Sequence, residues 1–437
     1  MLPGAVFVLS FAAYALTISR TLWTTDVFGA DWTSWHIART GSPWIDGTRI
    51  PELGHRSAAL LAIVQTDHGH TAFGRFPGVV VASIPAYAVS GSARFSTVPG
   101  SLTAAFLTAC ALVLMFLALR VRQTDTQAAI ATLVFGFATP VWTVSANLMW
   151  PHTITVFAIA GMAWAAASDR WWWAGVFGGI GLWGRVHVAM IVAVLGLGVA
   201  LRRREWGPAV RMAIASCGFL VASSLWIHWM YGTWSPLGAY DGGAVGQNAD
   251  QYRYSIANQL GMWVAPDRGV LLWTPVMLLL LPALVRSWRE LPDWSRSLLL
   301  GGLLYTVLGG ALNTFTGGEG FFGYRYGLEF LACATPALSL SCARAGRIAR
   351  LCLGPVIGVQ LFAFLVGAAI DSSYLPQSAA WHQNAFVHTL DQVGPLAWLA
   401  PAFAAVLGLL VARRLARSPQ PAPASPEPEL SKDQVRA

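Results

Sequence analysis

The stretch WWWAGVFGGIGLWGRVHVAMIVAVLGLGVAL, Trp171–Leu201, decides the fold. It is apolar from end to end except near its middle, where Arg185 and His187 stand. At about twenty residues per crossing it is too long for one membrane span and short for two. A single tilted helix would leave Arg185 at mid-bilayer, at a cost of roughly 2.5–3.5 kcal/mol even on the gentler scale. Two short helices reversing at Arg185 carry it to the surface instead. They also keep Arg202, Arg203 and Arg204 on the same side as Arg170. The expectation is a hairpin, counted as two spans.

Outward from this stretch, further apolar runs of crossing length lie near 3–22, 101–119, 128–148, 151–167, 207–231, 270–285, 297–315, 326–342, 351–370 and 395–412. The fold class expected is therefore all-α: a polytopic membrane bundle of about twelve transmembrane helices over residues 1–417. The N-terminal run has no basic n-region and no small-x-small cleavage site, so it is expected to be a retained first span. Residues 418–437 are Pro-rich and polar, the composition of a disordered tail. The composition agrees with a bilayer as solvent. Hydrophobic residues make up 55% of the 437 and charged residues only 11%, about half the charge of a soluble chain. Mean hydropathy is +0.54, and the 21 Trp fall largely at the ends of apolar runs, as membrane interfaces favour. The pI near 9.6 does not indicate nucleic acid, because the Arg are scattered with no basic stripe. The five Cys have no C-x-x-C spacing, so buried thiols are expected, not a metal or disulfide framework.

Sidedness follows from the Arg. With the N-terminus cytoplasmic, 18 of the 28 basic residues fall in cytoplasmic segments, as the positive-inside rule requires. The C-terminus is then cytoplasmic too, and the plasma membrane is the expected location. Pro77–Ser90 is apolar but only about four turns long. It is expected to lie in the outer interface with a short helix beginning near Asp31. The longest external segment thus runs from Trp23 to about Gly100, and the next from Gly232 to Arg268.

Ionisable groups on the external side are the candidates for chemistry. Asp26 and Asp31 follow the first span; each is either a helix cap or a general base able to deprotonate a hydroxyl. Arg75, in Gly74–Gly78 (GRFPG), has the chemistry and depth for a lipid phosphate, though an interfacial Arg snorkelling to water is equally ordinary. The loop Gly317–Gly327 (GGEGFFGYRYG) carries Glu319, Tyr324 and Arg325, with enough Gly to bring Arg325 against a phosphate. Tyr240, in the long external loop, is a candidate sugar contact, and His152 stands at an outer turn. The run Asp67–His70 (DHGH) offers donors for a divalent cation, but spacing fixes no third ligand; no other cofactor is implied.

The order of these parts resembles the GT-C class of integral-membrane glycosyltransferases, which use polyprenyl-phosphate sugars, and in particular the bacterial protein-mannosyltransferase and aminoarabinose-transferase branch. The resemblance lies in a first span followed by an external Asp segment and an element here reading RFPG (Arg75–Gly78), with one Pro fewer than the family pattern. An "ATPxWxxS" span end (Ala138–Ser145), His152, a "PxRGLLxxxP"-like element (Pro266–Pro275) and a "GxRY" element (Gly323–Tyr326) before Pro336 complete it.

The resemblance implies transfer of a sugar from a polyprenyl-phosphate donor to an external glycan, glycolipid or protein acceptor. It implies a first-loop Asp as base, with Asp31 favoured over Asp26 by its spacing to Ala38. Arg75 and Arg325 would hold the donor phosphate, with Arg185 of the hairpin as a third candidate. His152, Tyr240, Tyr324 and Glu319 are the candidate substrate contacts. A lipid-linked sugar flippase or transporter is the alternative from another class. It would place charged groups at mid-bilayer on broken helices in matched halves, and few such groups stand within the spans.

Overall fold

The structure, a computed structural model, describes residues 2–20, 24–48, 50, 63–235, 237–238, 250–370 and 375–417. Tyr240 and the tail 418–437 lie outside them. The chain is predominantly helical. In order come α1 (Leu2–Leu16), α2 (Thr25–Thr40), an antiparallel strand pair β1 (Ile63–Gln65) and β2 (Thr71–Phe73), α3 (Pro77–Ser90), α4 (Val98–Leu119), α5 (Asp125–Phe137), α6 (Pro151–Ala167), α7 (Trp171–Gly184), α8 (Ala189–Arg203) and α9 (Gly207–Tyr231). They are followed by α10 (Ile256–Val264), α11 (Val276–Ser287), α12 (Asp293–Leu312), α13 (Leu328–Ser341), α14 (Arg347–Ala369), α15 (Ala385–Val393) and α16 (Leu399–Arg417). Local chemistry sets many of the boundaries. Thr24 caps α2 through the Asp26 amide, Thr124 and Gln127 form a capping box on α5, and Pro opens α3 and α6 where no amide donor is needed.

The Trp171–Leu201 stretch does reverse. Helix α7 ends at Gly184, Arg185 is extended (φ −153°, ψ 119°), and one 3₁₀ turn, Val186–Val188, leads into α8. Its two ends meet: Arg203 donates to Asp169 at 2.6 Å and lies 5.3 Å over the Trp171 ring. In one continuous helix they would stand about 50 Å apart.

Two expected spans are broken, each at a proline. The run 128–148 is helical only to Phe137; Thr139–Pro140 stops it, and Val141–Ser145 forms a buried π turn. The run 270–285 is a single turn, Val270–Trp273, a break at Thr274–Pro275, and then α11. Proline lacks the donor a helix needs and disfavours the helical conformation in the residue before it. Buried Gln360 of α14 serves both breaks. It donates to the Ala138 carbonyl at 2.9 Å and accepts from the Val276 amide at 3.0 Å, restoring partners that a low-dielectric interior would otherwise leave unmet.

Among the described residues six helices are long and apolar enough to cross a membrane: Val98–Leu119, Val186–Arg203, Gly207–Tyr231, Asp293–Leu312, Arg347–Ala369 and Pro395–Arg414. Their outward faces are apolar. Leu201, Val221, Val307 and Phe403 are all exposed, a surface unsuited to water and compatible with lipid. Between α14 and α16 the contact is made through small residues. A Cβ on Gly354 would fall 2.4 Å from the Gly408 carbonyl oxygen, and one on Gly358 2.2 Å from that of Ala404, the small-xxx-small packing of membrane helices.

Candidate functional site

Five segments distant in sequence bring charged groups to one place. Asp26 lies in the first turn of α2. Arg75 follows β2, and its position is fixed from the end of α9. The Tyr231 hydroxyl accepts from the Arg75 amide at 2.9 Å and donates to the Phe73 carbonyl at 2.8 Å. Gly29 leaves room for the guanidinium, since a Cβ there would meet Arg75 Nε at 3.0 Å. Arg325 reaches in from the glycine-rich loop. Gly320 and Gly323 take positive φ (83° and 92°) on either side of Phe321 and Phe322, a conformation glycine adopts without cost. Both aromatics are thereby turned inward and buried.

Asp26 is the hub. Arg325 Nη1 donates to its Oδ2 at 2.8 Å, Arg75 Nη2 stands 3.8 Å from its Oδ1, and Arg75 Nε donates to its carbonyl at 2.9 Å. Burial opposes ionisation of this carboxyl, but Arg325 first and then Arg75 and Arg185 outweigh it and hold the acid at about 2. The Asp26 side chain is 43% exposed, whereas Arg75 and Arg325 are 9% and 10% exposed. The carboxylate is therefore the most accessible of the three groups, although the surrounding protein still desolvates it.

Behind the arginines a second chain of bonds fixes Arg185. Its Nη1 stands 3.0 Å from His152 Nε2, and His152 Nδ1 stands 2.8 Å from Glu329 Oε1, which also accepts from Thr155 at 2.7 Å. A ring nitrogen that accepts from a guanidinium carries no proton, so these partners assign His152 as the neutral Nδ1–H form. Three guanidiniums then face two carboxylates, leaving one net positive charge. Aromatic faces complete the walls. Arg325 lies 4.6 Å from the Trp150 centroid and 5.0 Å from that of Tyr326, and Arg185 lies 5.0 Å over the same Tyr326. Phe321 is held between Arg325 at 5.6 Å and Arg268 at 4.4 Å, and Arg268 is balanced by Asp267 at 2.9 Å. A positively charged, largely desolvated cluster of this kind has the chemistry to pair with a singly charged phosphodiester.

The residues expected from sequence separate into two groups. Asp26, Arg75, Arg185, Arg325 and His152 come together. Asp31, one turn beyond Asp26, does not join them. It is fully buried against Gly100, whose added Cβ would fall 2.1 Å from Asp31 Oδ1, and its carboxyl oxygens have no hydrogen-bond partner of good geometry. Burial pushes this acid well above its usual range, with the neighbouring Tyr87 hydroxyl working the other way. Tyr324 points into the core, its hydroxyl 2.7 Å from that of Thr274. Glu319 accepts from the Gln377 amide at 3.1 Å, apart from the cluster. Of the Asp67–His70 run, His68 contacts the His228 carbonyl and His70 pairs with Asp46. No group of three His, Cys, Asp or Glu among the described residues is arranged to hold a metal ion.

Glu329, Tyr326, Trp150 and Phe321 were not singled out as site residues in the sequence. For Glu329 the signal was available: an acid inside an otherwise apolar run. No protein-family model matches the chain, and no curated protein matches it.

Proposed function

We propose that this chain is a multi-pass membrane glycosyltransferase of GT-C type, moving a sugar from a polyprenyl-phosphate donor to an acceptor outside the cytoplasm. The observation that carries the proposal is the convergence of Arg75, Arg185 and Arg325 on Asp26 from separate parts of the chain. Twelve crossings, with α2 and α3 in the outer interface and both termini in the cytoplasm of a plasma-membrane protein, put this cluster at the outer leaflet, where a polyprenyl phosphate presents its headgroup.

In the reaction, Arg75 and Arg325 hold the donor phosphate and Arg185 adds the third charge, fixed by His152 and Glu329. Asp26 takes the proton of the acceptor hydroxyl as its oxygen bonds to the anomeric carbon. The bond from that carbon to the phosphate oxygen breaks, and its electron pair stays on the phosphate, where the guanidiniums neutralise the added charge. The products are the glycosylated acceptor and polyprenyl phosphate. Geometry favours Asp26 over Asp31 as the base, because Asp31 is enclosed and has no access to a substrate.

Proteoliposomes holding a polyprenyl-phosphate sugar test this reading against the flippase alternative. A transferase consumes the donor when acceptor is supplied and releases polyprenyl phosphate. A flippase moves the donor between leaflets with its sugar intact, and that result would sink the proposal.

A further inference from the structure

The site as described contains a contradiction for a base. A carboxylate that accepts from one guanidinium at 2.8 Å and lies 3.8 Å from another is a poor proton acceptor, since both cations stabilise its charged form. The same two guanidiniums are the groups that the proposed donor phosphate would need. Asp26 is also the exposed member of the cluster, so an anion approaching the arginines from outside meets it first. Arg325 has donor capacity beyond this pair: its Nε is buried with no hydrogen-bond partner, and its Nη2 makes only a 3.3 Å contact with the Tyr326 hydroxyl.

We infer that Asp26 occupies the donor-phosphate site as an internal counter-anion, and that the incoming phosphate displaces it from Arg325 and Arg75, releasing the carboxylate as the base. The inference rests on the transferase reading and adds an order of events to it. Without donor, Asp26 neutralises the arginines and is unreactive. With donor, phosphate oxygens take the guanidinium hydrogens and Asp26, freed of its nearest cations, becomes more basic beside the acceptor hydroxyl. After transfer, once its proton has passed to water or to the product phosphate, the Asp26 carboxylate competes with that phosphate for the arginines and so assists its release. Acceptor activation is thereby confined to molecules that already hold donor, which suppresses futile deprotonation of water.

The consequence is a sign that a simple catalytic residue would not give. Asp26→Asn removes the competitor while keeping the shape, so it should bind polyprenyl monophosphate more tightly than wild type, by roughly two- to fivefold, although it cannot transfer sugar. Binding is measured on the full chain in lipid nanodiscs, with polyprenyl monophosphate as the probe and no sugar or acceptor present. Wild-type binding with equal or weaker binding by Asp26→Asn overturns this inference and leaves the transferase reading standing. No binding by folded wild type overturns both. A second measurement needs no variant. The pH dependence of kcat/KM for the donor reports the free enzyme and that of kcat the donor complex, so the acid limb of kcat should lie at higher pH. Coincident limbs, or the reverse order, contradict the displacement.

Discussion

Arg325→Ala is the perturbation whose size follows most directly from the geometry. The guanidinium donates one charge-assisted bond at 2.8 Å to Asp26 and is packed against Trp150, Phe321 and Tyr326 at 4.6–5.6 Å. Its side chain is only 10% exposed, so a phosphate held there is largely out of water. A hydrogen bond to a charged group in such a place contributes about 1.5–3 kcal/mol, and each 1.4 kcal/mol is tenfold in affinity. Donor Kd should therefore rise roughly 10- to 150-fold. Arg325→Lys keeps the charge but loses the planar fork and its stacking, so its loss should be intermediate. Titration of polyprenyl monophosphate against each purified variant in nanodiscs reads the effect. An unchanged Kd in a folded Arg325→Ala protein would refute the assignment of this arginine to the phosphate, and with it the chemistry built on the cluster.

Other variants test the supports of the site. A Cβ on Gly78 would fall 2.7 Å from the Trp183 carbonyl, so Gly78→Ala should push α3 off α7, shift Arg75, weaken donor binding and destabilise the protein by about 1–3 kcal/mol; wild-type binding would show that this close approach does not position Arg75. Asp31 is an acid that folding raises by burial, so the folded state holds its proton more tightly than the unfolded chain does. Its contribution to stability is present at acid pH and declines as pH rises above about 4. Asp31→Asn removes that decline, and its unfolding midpoint should fall less than that of wild type between pH 5 and pH 8. Gly354→Leu cannot fit against the Gly408 carbonyl and should separate α14 from α16, lowering the thermal midpoint in detergent; an unchanged midpoint would remove the small-residue contact from the account.

The sequence shows why some features were legible and others were not. The reversal at Arg185 was legible because lipid makes a mid-bilayer guanidinium expensive, and the Arg203–Asp169 contact shows the chain turning back. Arg185 itself is not at the surface as expected but buried against His152 and Tyr326, which supply the partners that water would have given. Hydropathy also marked the six helices of crossing length. It overran at Pro140 and Pro275, because an average over twenty residues does not register one missing donor, and the compensating Gln360 lies far away in the chain. The site was half legible. Scarcity of external charge pointed to Asp31, Arg75 and Arg325, with Asp26 as the second acid. The preference for Asp31 failed because that side chain is buried against Gly100, a packing that no spacing encodes. Tyr324 and Tyr326 differ by two residues in a loop whose turns are set by positive-φ glycines, and periodicity cannot say which ring faces the arginines. The bond between His152 and Glu329 joins two helices 177 positions apart and was invisible.

The central claim is that sugar transfer is driven from Asp26 within the arginine cluster, and paired turnover of Asp26→Asn and Asp31→Asn tests it most directly. Both proteins are placed in nanodiscs with a polyprenyl-phosphate sugar and an acceptor, and released polyprenyl phosphate is counted against time. The account predicts a loss of about 10²- to 10⁴-fold for Asp26→Asn, with turnover within a few-fold of wild type for Asp31→Asn. Full turnover by Asp26→Asn, or loss confined to Asp31→Asn, would contradict it.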